Sequence, residues 1–377
     1  MLRHLHLKNF KSAKDLSIEL RSLTVLAGLN GSGKSSVLQA IALLKQTLGQ
    51  GEASKTLPLR GDLVRLGRSE DVHFEGAESS ELTLSVQSAA GLVRFIGEAK
   101  DHADTLDLRI EGDGATLQRE LGAWFQFIQA DRMTPAVQYE QASTPDQEQG
   151  WLGCRGEFTV DFLQRNEDKK VSDKRLCPVE AFGLDAALLK LIAPTANLGD
   201  QTAAWLQMLS PGVRLRAIPV ELADATSLRF QYTSNEIASS TREHRPSNVG
   251  FGLTYSLPII VACLAAKRGA ILLLENPEAH LHPRGQAALG QLLAMCCADD
   301  VQVIVETHSD HLLNGVRVAV KQGAISADDV ALHYFERDVR TGESHIESPH
   351  VLPDGQLDSW PEGFFDQWDK SLDALLD

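Results

Sequence analysis

The sequence predicts an α/β chain with a mixed central sheet, an antiparallel β region and an inserted helical lobe. Three observations predict it. The apolar run 23–27 leads into Gly28-Leu29-Asn30-Gly31-Ser32-Gly33-Lys34-Ser35, and Val37, Ile41, Leu44 and Leu48 then fall four, three and four apart, as on one helix face. Residues 270–305 read as a strand, a helix and a second strand, and both strands end abruptly in polar residues. Residues 62–110 hold short alternating runs separated by turn-like residues.

The glycine stretch fits the phosphate-binding pattern G-x-x-x-x-G-K-[ST] at every fixed position, and both flanks have the required structure. Glycines let the backbone wrap close to phosphate oxygens. The first N–H groups of a helix lack internal partners and point at an anion. Asn30, Gly31, Ser32, Gly33 and Ser36 would surround the phosphates of ATP, Lys34 would reach the β- and γ-phosphates, and Ser35 would sit on Mg²⁺.

Taken in order, residues 5–20 alternate loosely, with Asn9-Phe10-Lys11-Ser12 as the turn between two short strands at a sheet edge. Strands are expected at 72–74, 82–86, 93–96, 106–110 and 124–128. Residues 136–176 are polar and loop-rich, helices are expected at 184–191 and 201–209, and strands at 213–220 and 228–232. Residues 236–246 form a polar stretch that ends in a short loop. A helix is expected over 257–267, a strand over 270–274, a helix over 286–297 and a strand over 301–305.

A strand, crossover helix, strand unit implies parallel neighbours, and ligands of such sheets bind outside the carboxyl ends of the strands. Gly28, Glu275 and His308 each lie just past or at such an end. Phosphoryl transfer to water needs a carboxylate for Mg²⁺, a group that orients the water and donors for the γ-phosphate. Glu275 and Glu278 supply carboxylates, and His308 can donate. Acids after a strand are also common turn formers and helix caps. A second alternative is a metal site from Glu278, His280, His282, His308 and His311.

The chain of 377 residues suggests roughly two domains. No run approaches the eighteen or so apolar residues that span a bilayer, and residues 1–8 show no secretory pattern, so a cytoplasmic protein is expected. Five cysteines without C-x-x-C spacing read as reduced thiols. A net charge of −15 argues against a chain coated in a nucleic-acid-binding surface. The first sixty residues carry nine Lys/Arg against three Asp/Glu, whereas 338–377 carry ten acidic residues against two basic; solvated surface charge is the favoured reading, and a local basic face near the P-loop lobe is the alternative.

The opening Leu7-Lys8-Asn9-Phe10-Lys11-Ser12, the loop GLNGSGKSS, the run LLLENPEAHLHP and the run VIVETHSDH together resemble, in order, the ABC-type ATPase heads of the SMC, RecF and OLD kind. The tail Trp360-Pro361-Glu362-Gly363-Phe364-Phe365-Asp366 resembles a stand-alone prokaryotic subgroup with a C-terminal domain of unknown function, as do Ala130-Asp131-Arg132 and 151–157. The resemblance implies an ABC-ATPase-like P-loop NTPase head. Residues 1–128 would be its N-terminal part, 129–247 the inserted lobe, 248–337 its C-terminal part and 338–377 an acidic tail.

It further implies a dimer in which each ATP site is completed by the partner's signature loop, here 248–254, with Gly250 and Gly252 aimed at the partner's γ-phosphate. Lys11 joins the nucleotide contacts by the same resemblance. Glu275 takes the Mg²⁺-linked position. Asn276 stands where the family carries its general base, no L-S-G-G-Q is present, and Gln129 is the candidate for the Q-loop. The implied task is an ATP-driven switch acting on an effector protein encoded nearby or on nucleic acid, in phage defence or DNA maintenance. A nucleotide-sensing scaffold is the alternative, motivated by Asn276. A membrane-transporter motor is a third, disfavoured by the atypical signature.

Overall fold

The computed structural model describes the chain apart from residues 52–54, 90, 123, 179–181, 234–240 and 377, and the side chains of 367–369 and 376. Residues 236–240 of the expected 236–246 stretch therefore lie outside the described residues. The chain forms two compact units, one of residues 1–122, 304–310 and 320–377, the other of 123–303 and 311–319. Residues 129–247 share the second unit with 248–303, and the acidic tail belongs to the first.

The first unit opens with β1 (His4–Phe10), β2 (Ala13–Glu19) and β3 (Leu23–Gly28), followed by α1 (Lys34–Gly49). Then come β4 (Thr56–Pro58), α2 (Ser69–Val72), β5 (Glu81–Ser88), β6 (Gly91–Glu98), β7 (Thr105–Glu111) and α3 (Gly114–Gly122). Six of these strands make one antiparallel sheet in the order β2-β1-β5-β6-β7-β4, each pair in the alternating register that the sequence predicts. Leu5 and Leu7 are buried on one face of β1 while His4 and Lys8 are exposed.

One strand expected there is absent. Residues 69–72 form a helical turn in place of a strand at 72–74, because the Asp71 carboxylate accepts the Arg68 N–H at 2.7 Å and closes the turn, and His73 only bridges to Phe10.

The second unit holds β8 (Phe125–Ile128), β9 (Tyr139–Glu140), α4 (Thr144–Gln149), α5 (Thr159–Asn166), α6 (Ala186–Ile192) and α7 (Leu198–Leu206). It continues with β10 (Val213–Val220), β11 (Ala225–Tyr232), α8 (Phe251–Ala265), β12 (Ile271–Glu275) and α9 (Pro283–Cys297). The stretch 136–176 is more regular than expected, since it carries α4 and α5. The expected helix at 257–267 starts six residues earlier, at Phe251. Pro258 sits inside it, and a proline there masks the helical pattern in sequence.

Parallel pairing sets Leu272 beside Gln126 and Leu274 beside Ile128, so β8 and β12 end together. Arg175 and Asp299 form a fully buried pair at 2.8 Å, and the same guanidinium donates to the Cys263 and Ala266 carbonyls at the end of α8.

β13 (Gln302–Glu306) begins in the second unit and ends in the first. After it come α10 (Asp310–Lys321), β14 (Val330–Arg337), β15 (Ser344–Glu347) and α11 (Gln367–Leu376). In the first unit β14 runs parallel to β3, with Leu332 opposite Val25, and β15 returns antiparallel to β14. The Thr307 N–H donates to the Leu26 carbonyl at 3.0 Å, which sets the end of β13 beside β3. Leu23, Val25, Leu26, Val303, Ile304 and Val305 are all fully buried, as expected of strands covered on both faces. Among the described residues no helix is long and apolar enough to cross a membrane.

Candidate nucleotide site

In the first unit, β3 ends at Gly28 and α1 begins at Lys34, with Gly33 as its N-cap. Among the described residues no side chain caps the helix, so its first turn faces whatever the loop holds. Gly33 has φ +106, a conformation that glycine tolerates. It also has no room: a Cβ there would lie 2.4 Å from Ser344 Oγ.

That hydroxyl braces the loop. Ser344 Oγ lies 2.7 Å from both Ser12 Oγ and the Ser32 carbonyl oxygen. A hydroxyl has one proton and the carbonyl has none, so Ser344 donates to Ser32 and accepts from Ser12. Ser32 turns inward as well, its own hydroxyl donating to the Leu29 carbonyl at 2.8 Å. Asn30 and Gly31 are exposed at the tip, Ser35 is half-buried and Ser36 is buried. Lys11 donates to Gln39 on α1.

Lys34 is 2% exposed, and its ammonium donates to the Gly28 and Leu29 carbonyls at 3.0 and 2.7 Å. Its third neighbour is Glu306 Oε1 at 3.8 Å. Glu306 is the last residue of β13 and is 5% exposed. Burial pushes its carboxyl above the usual range, against the opposing pull of the Ser35 hydroxyl, which donates to it, and of Lys34. Its Oε2 has no hydrogen-bond partner among the described residues. Two residues on, His308 is held below its ordinary pKa by partial burial and by Lys34, against a hydrogen bond with the Gly28 backbone. It is therefore neutral near pH 7, with its one N–H given to the Gly28 carbonyl. The hydroxyl and carboxylate oxygens gathered here are the donor set that Mg²⁺ takes.

The second unit builds a different group around the paired ends of β8 and β12. The Ala130 N–H donates to Glu275 Oε2 at 3.0 Å. Arg132 is fully buried, and its guanidinium donates to the carbonyls of Glu275 at 2.7 Å, Asn276 at 2.8 Å and Gln129 at 3.3 Å. It stacks 4.2 Å from the Tyr255 ring, whose hydroxyl donates to the Ala130 carbonyl. Burial lowers the Arg132 pKa to about 10, with Tyr255, Glu278 and Glu275 opposing, so it stays charged at neutral pH.

Asn276 has φ +44, where asparagine is among the few side chains found often. Its Oδ1 is buried and has no hydrogen-bond partner among the described residues. Glu278 is 7% exposed.

The histidines of this stretch have structural work. His280 packs on Phe251 and Tyr255 with ring centroids 4.7 and 4.9 Å apart, and His282 Nδ1 accepts the Arg284 N–H as the N-cap of α9. Among the described residues no three His, Cys, Asp or Glu side chains are grouped to hold a metal, so the alternative site of Glu278, His280, His282, His308 and His311 is not assembled.

The two signature-like glycines differ. Gly250 is the N-cap of α8 and a Cβ on it would meet nothing within 4 Å among the described residues, whereas a Cβ on Gly252 would lie 2.7 Å from the His280 carbonyl oxygen. Gly252 is small for packing within its own unit.

Sequence reasoning reached the glycine loop, Glu275 and His308. It did not assign Glu306, Ser344 or Tyr255, and it met Arg132 only as part of a family-like segment. Glu306 carries the signal that singled out Glu275, an acid closing a buried apolar strand.

Comparison with known proteins follows the same segments. A family described as AAA ATPase domain matches residues 1–116. An AAA domain family, whose description adds the AbiEii toxin and Type IV TA system, matches 206–314. A family described as protein of unknown function (DUF3696) matches 325–375. The OLD nuclease of Thermus scotoductus is 25% identical over 329 residues, covering 82% of this chain, and the chain spans 59% of that relative's length. The Smc head domain with an extended coiled coil from Pyrococcus furiosus, solved bound to the C-terminal domain of ScpA, aligns at 14% identity with a TM-score of 0.50. The alignment covers 100% of this chain and 99% of that one, and it speaks to the fold.

Proposed function

We propose that this chain, an ABC-type ATPase domain of the SMC- and OLD-like kind by its motifs and fold, is a slow Mg²⁺-dependent ATPase whose nucleotide state controls self-association. The observation that carries this reading is the loop Gly28–Ser35, with a buried Lys34 and a neutral His308 on one carbonyl. Backbone N–H groups of Asn30, Gly31, Ser32, Gly33 and Ser36 wrap the phosphates, Lys34 offsets their charge, and His308 turns its one N–H from the Gly28 carbonyl to the γ-phosphate. Lys11 stands by the same helix through Gln39. Ser35 and Glu275 hold Mg²⁺ by the motif, and the bound ion supplies charge neutralisation on the transferring phosphoryl group. Asn276 orients water and Glu278 assists it.

Two copies close over ATP, the α8 N-terminus at Gly250 of each facing the other's γ-phosphate. The closed dimer acts on an effector protein or on nucleic acid, in the cytoplasm and in a defence or DNA-maintenance setting. Support for a nucleic-acid role is limited to the likeness to the OLD nuclease. A catalytically weak sensing scaffold is the second reading, favoured by Asn276 at the base position.

Phosphate release and light scattering with ATP and Mg²⁺ test both readings. Turnover with a doubled mass supports the switch, a doubled mass without turnover supports the scaffold, and an unchanged mass rejects nucleotide-linked association. Gly250→Trp is the informative variant, because a Cβ at that position meets nothing within 4 Å among the described residues. It is expected to bind ATP as the wild type does and to stay monomeric. A Gly250→Trp chain that still dimerises with ATP removes this loop from the interface. Gly252→Trp does not serve, since it collides with its own His280 backbone.

A further inference from the structure

We propose that Glu306 is a metal-holding carboxylate of the nucleotide site, binding Mg²⁺ together with Ser35. This rests on reading Gly28–Ser35 as the ATP loop. The carboxylate is all but buried, with its side chain 6% exposed. An ionised carboxylate offers about four acceptor positions. The Ser35 hydroxyl fills one, and the Lys34 ammonium at 3.8 Å stands beyond hydrogen-bond length because it donates to Gly28 and Leu29. Oε2 has neither solvent nor a hydrogen-bond partner among the described residues.

A buried carboxylate left in that state is costly. A partner arriving with the nucleotide removes the cost. Lys34 belongs to the phosphates once ATP is bound, so the cation that Glu306 then faces comes from outside the chain. Mg²⁺ is the cation that accompanies ATP, and it prefers one or two carboxylates plus phosphate oxygens and water. Ser35, already hydrogen-bonded to Glu306, is the residue to which the loop pattern assigns the ion. Glu306 thus supplies a carboxylate from the same unit as the loop, in a chain whose Asn276 replaces one by an amide.

Calorimetric titration with a non-hydrolysable ATP analogue, in excess Mg²⁺ and again in EDTA, tests this. Wild-type protein is expected to bind in both and more tightly with Mg²⁺. Glu306→Gln keeps the size of the side chain and one oxygen to accept from Ser35, and removes the charge. It should still bind in EDTA, no more weakly than the wild type because a negative charge has left the neighbourhood of the phosphates, and lose on the order of ten- to a hundredfold of the Mg²⁺-dependent gain. The EDTA arm doubles as the check that the variant is folded. A Mg²⁺ gain that survives in Glu306→Gln overturns the proposal and leaves the ATP site standing. Loss of binding in both arms also overturns it, because Glu306 then only supports Lys34. No binding by the wild type in either arm removes the ATP-site reading itself, and this proposal with it.

Discussion

Lys34→Ala is expected to bind ATP roughly thirty- to several-thousandfold more weakly than the wild type and to show no turnover. Truncating one partner of a buried, hydrogen-bonded charge contact costs about 2–5 kcal/mol. Calorimetry and phosphate release check both parts, and unchanged affinity and turnover would sink the assignment of the loop. The motif alone suggests that folding is untouched, since the lysine faces the ligand. The structure adds a second effect, because the ammonium is also the cation beside buried Glu306.

Glu306 already has its pKa raised above its ordinary 4.5 by burial, and losing Lys34 raises it further. A group with a raised folded pKa contributes stability that is full below its unfolded value and is lost as pH rises through the folded one. The deficit of Lys34→Ala against the wild type should therefore grow from about pH 4.5 upward. Lys34→Ala/Glu306→Gln should remove most of it. Thermal melts at pH 5 and pH 8 decide. A deficit that ignores pH, or that the second substitution does not relieve, breaks the coupling.

Glu278→Gln is expected to bind ATP normally, lose turnover and accumulate the ATP-bound dimer. General-base assistance contributes typically ~10²–10⁴-fold. An acid displaced from the motif position realises part of that, so the fall is expected near the lower end. Glu278 also lends charge to buried Arg132, so binding must be measured beside turnover. Equal turnover in wild type and variant rejects the role. Asn276→Glu is the counterpart. If it raises turnover sharply, the amide is a brake at a position still within reach. Glutamate is less at ease than asparagine at φ +44, so a modest stability loss in that variant is backbone strain and no comment on chemistry.

Much of this was legible because it is local. The loop, β12 and β13 announce themselves by an apolar run that stops at a glycine or a polar residue, and by helical spacing afterwards. The alternating strands β5, β6 and β7 fell within a residue or two for the same reason. Three residues at 72–74 were too few for alternation to mean anything against an Asp71 turn. Pro258 hid the first half of α8.

The supporting residues were not legible for a different reason. Arg132, Tyr255 and Ser344 are single polar side chains whose partners lie elsewhere in the chain, whereas Glu306 closes an apolar strand as Glu275 does and was passed over. No period in the sequence pairs Arg132 with the Glu275 and Asn276 carbonyls, or Ser344 with Ser32. The histidines of 278–282 misled in the opposite direction. Their spacing suggested ligation, while one packs among aromatic rings and the other ends a helix.

The bond between Ser12 and Ser344 spans 332 positions of sequence. Its two hydroxyls have only one workable proton order, dictated from the far end by a carbonyl that can never donate. Neither serine can change its polarity alone, so for selection or redesign the two behave as one letter written twice, at opposite margins of the text. The hairpin of β14 and β15, which lies in the segment matched to a family of unknown function, is by that measure part of the wall against which the glycine loop is cast.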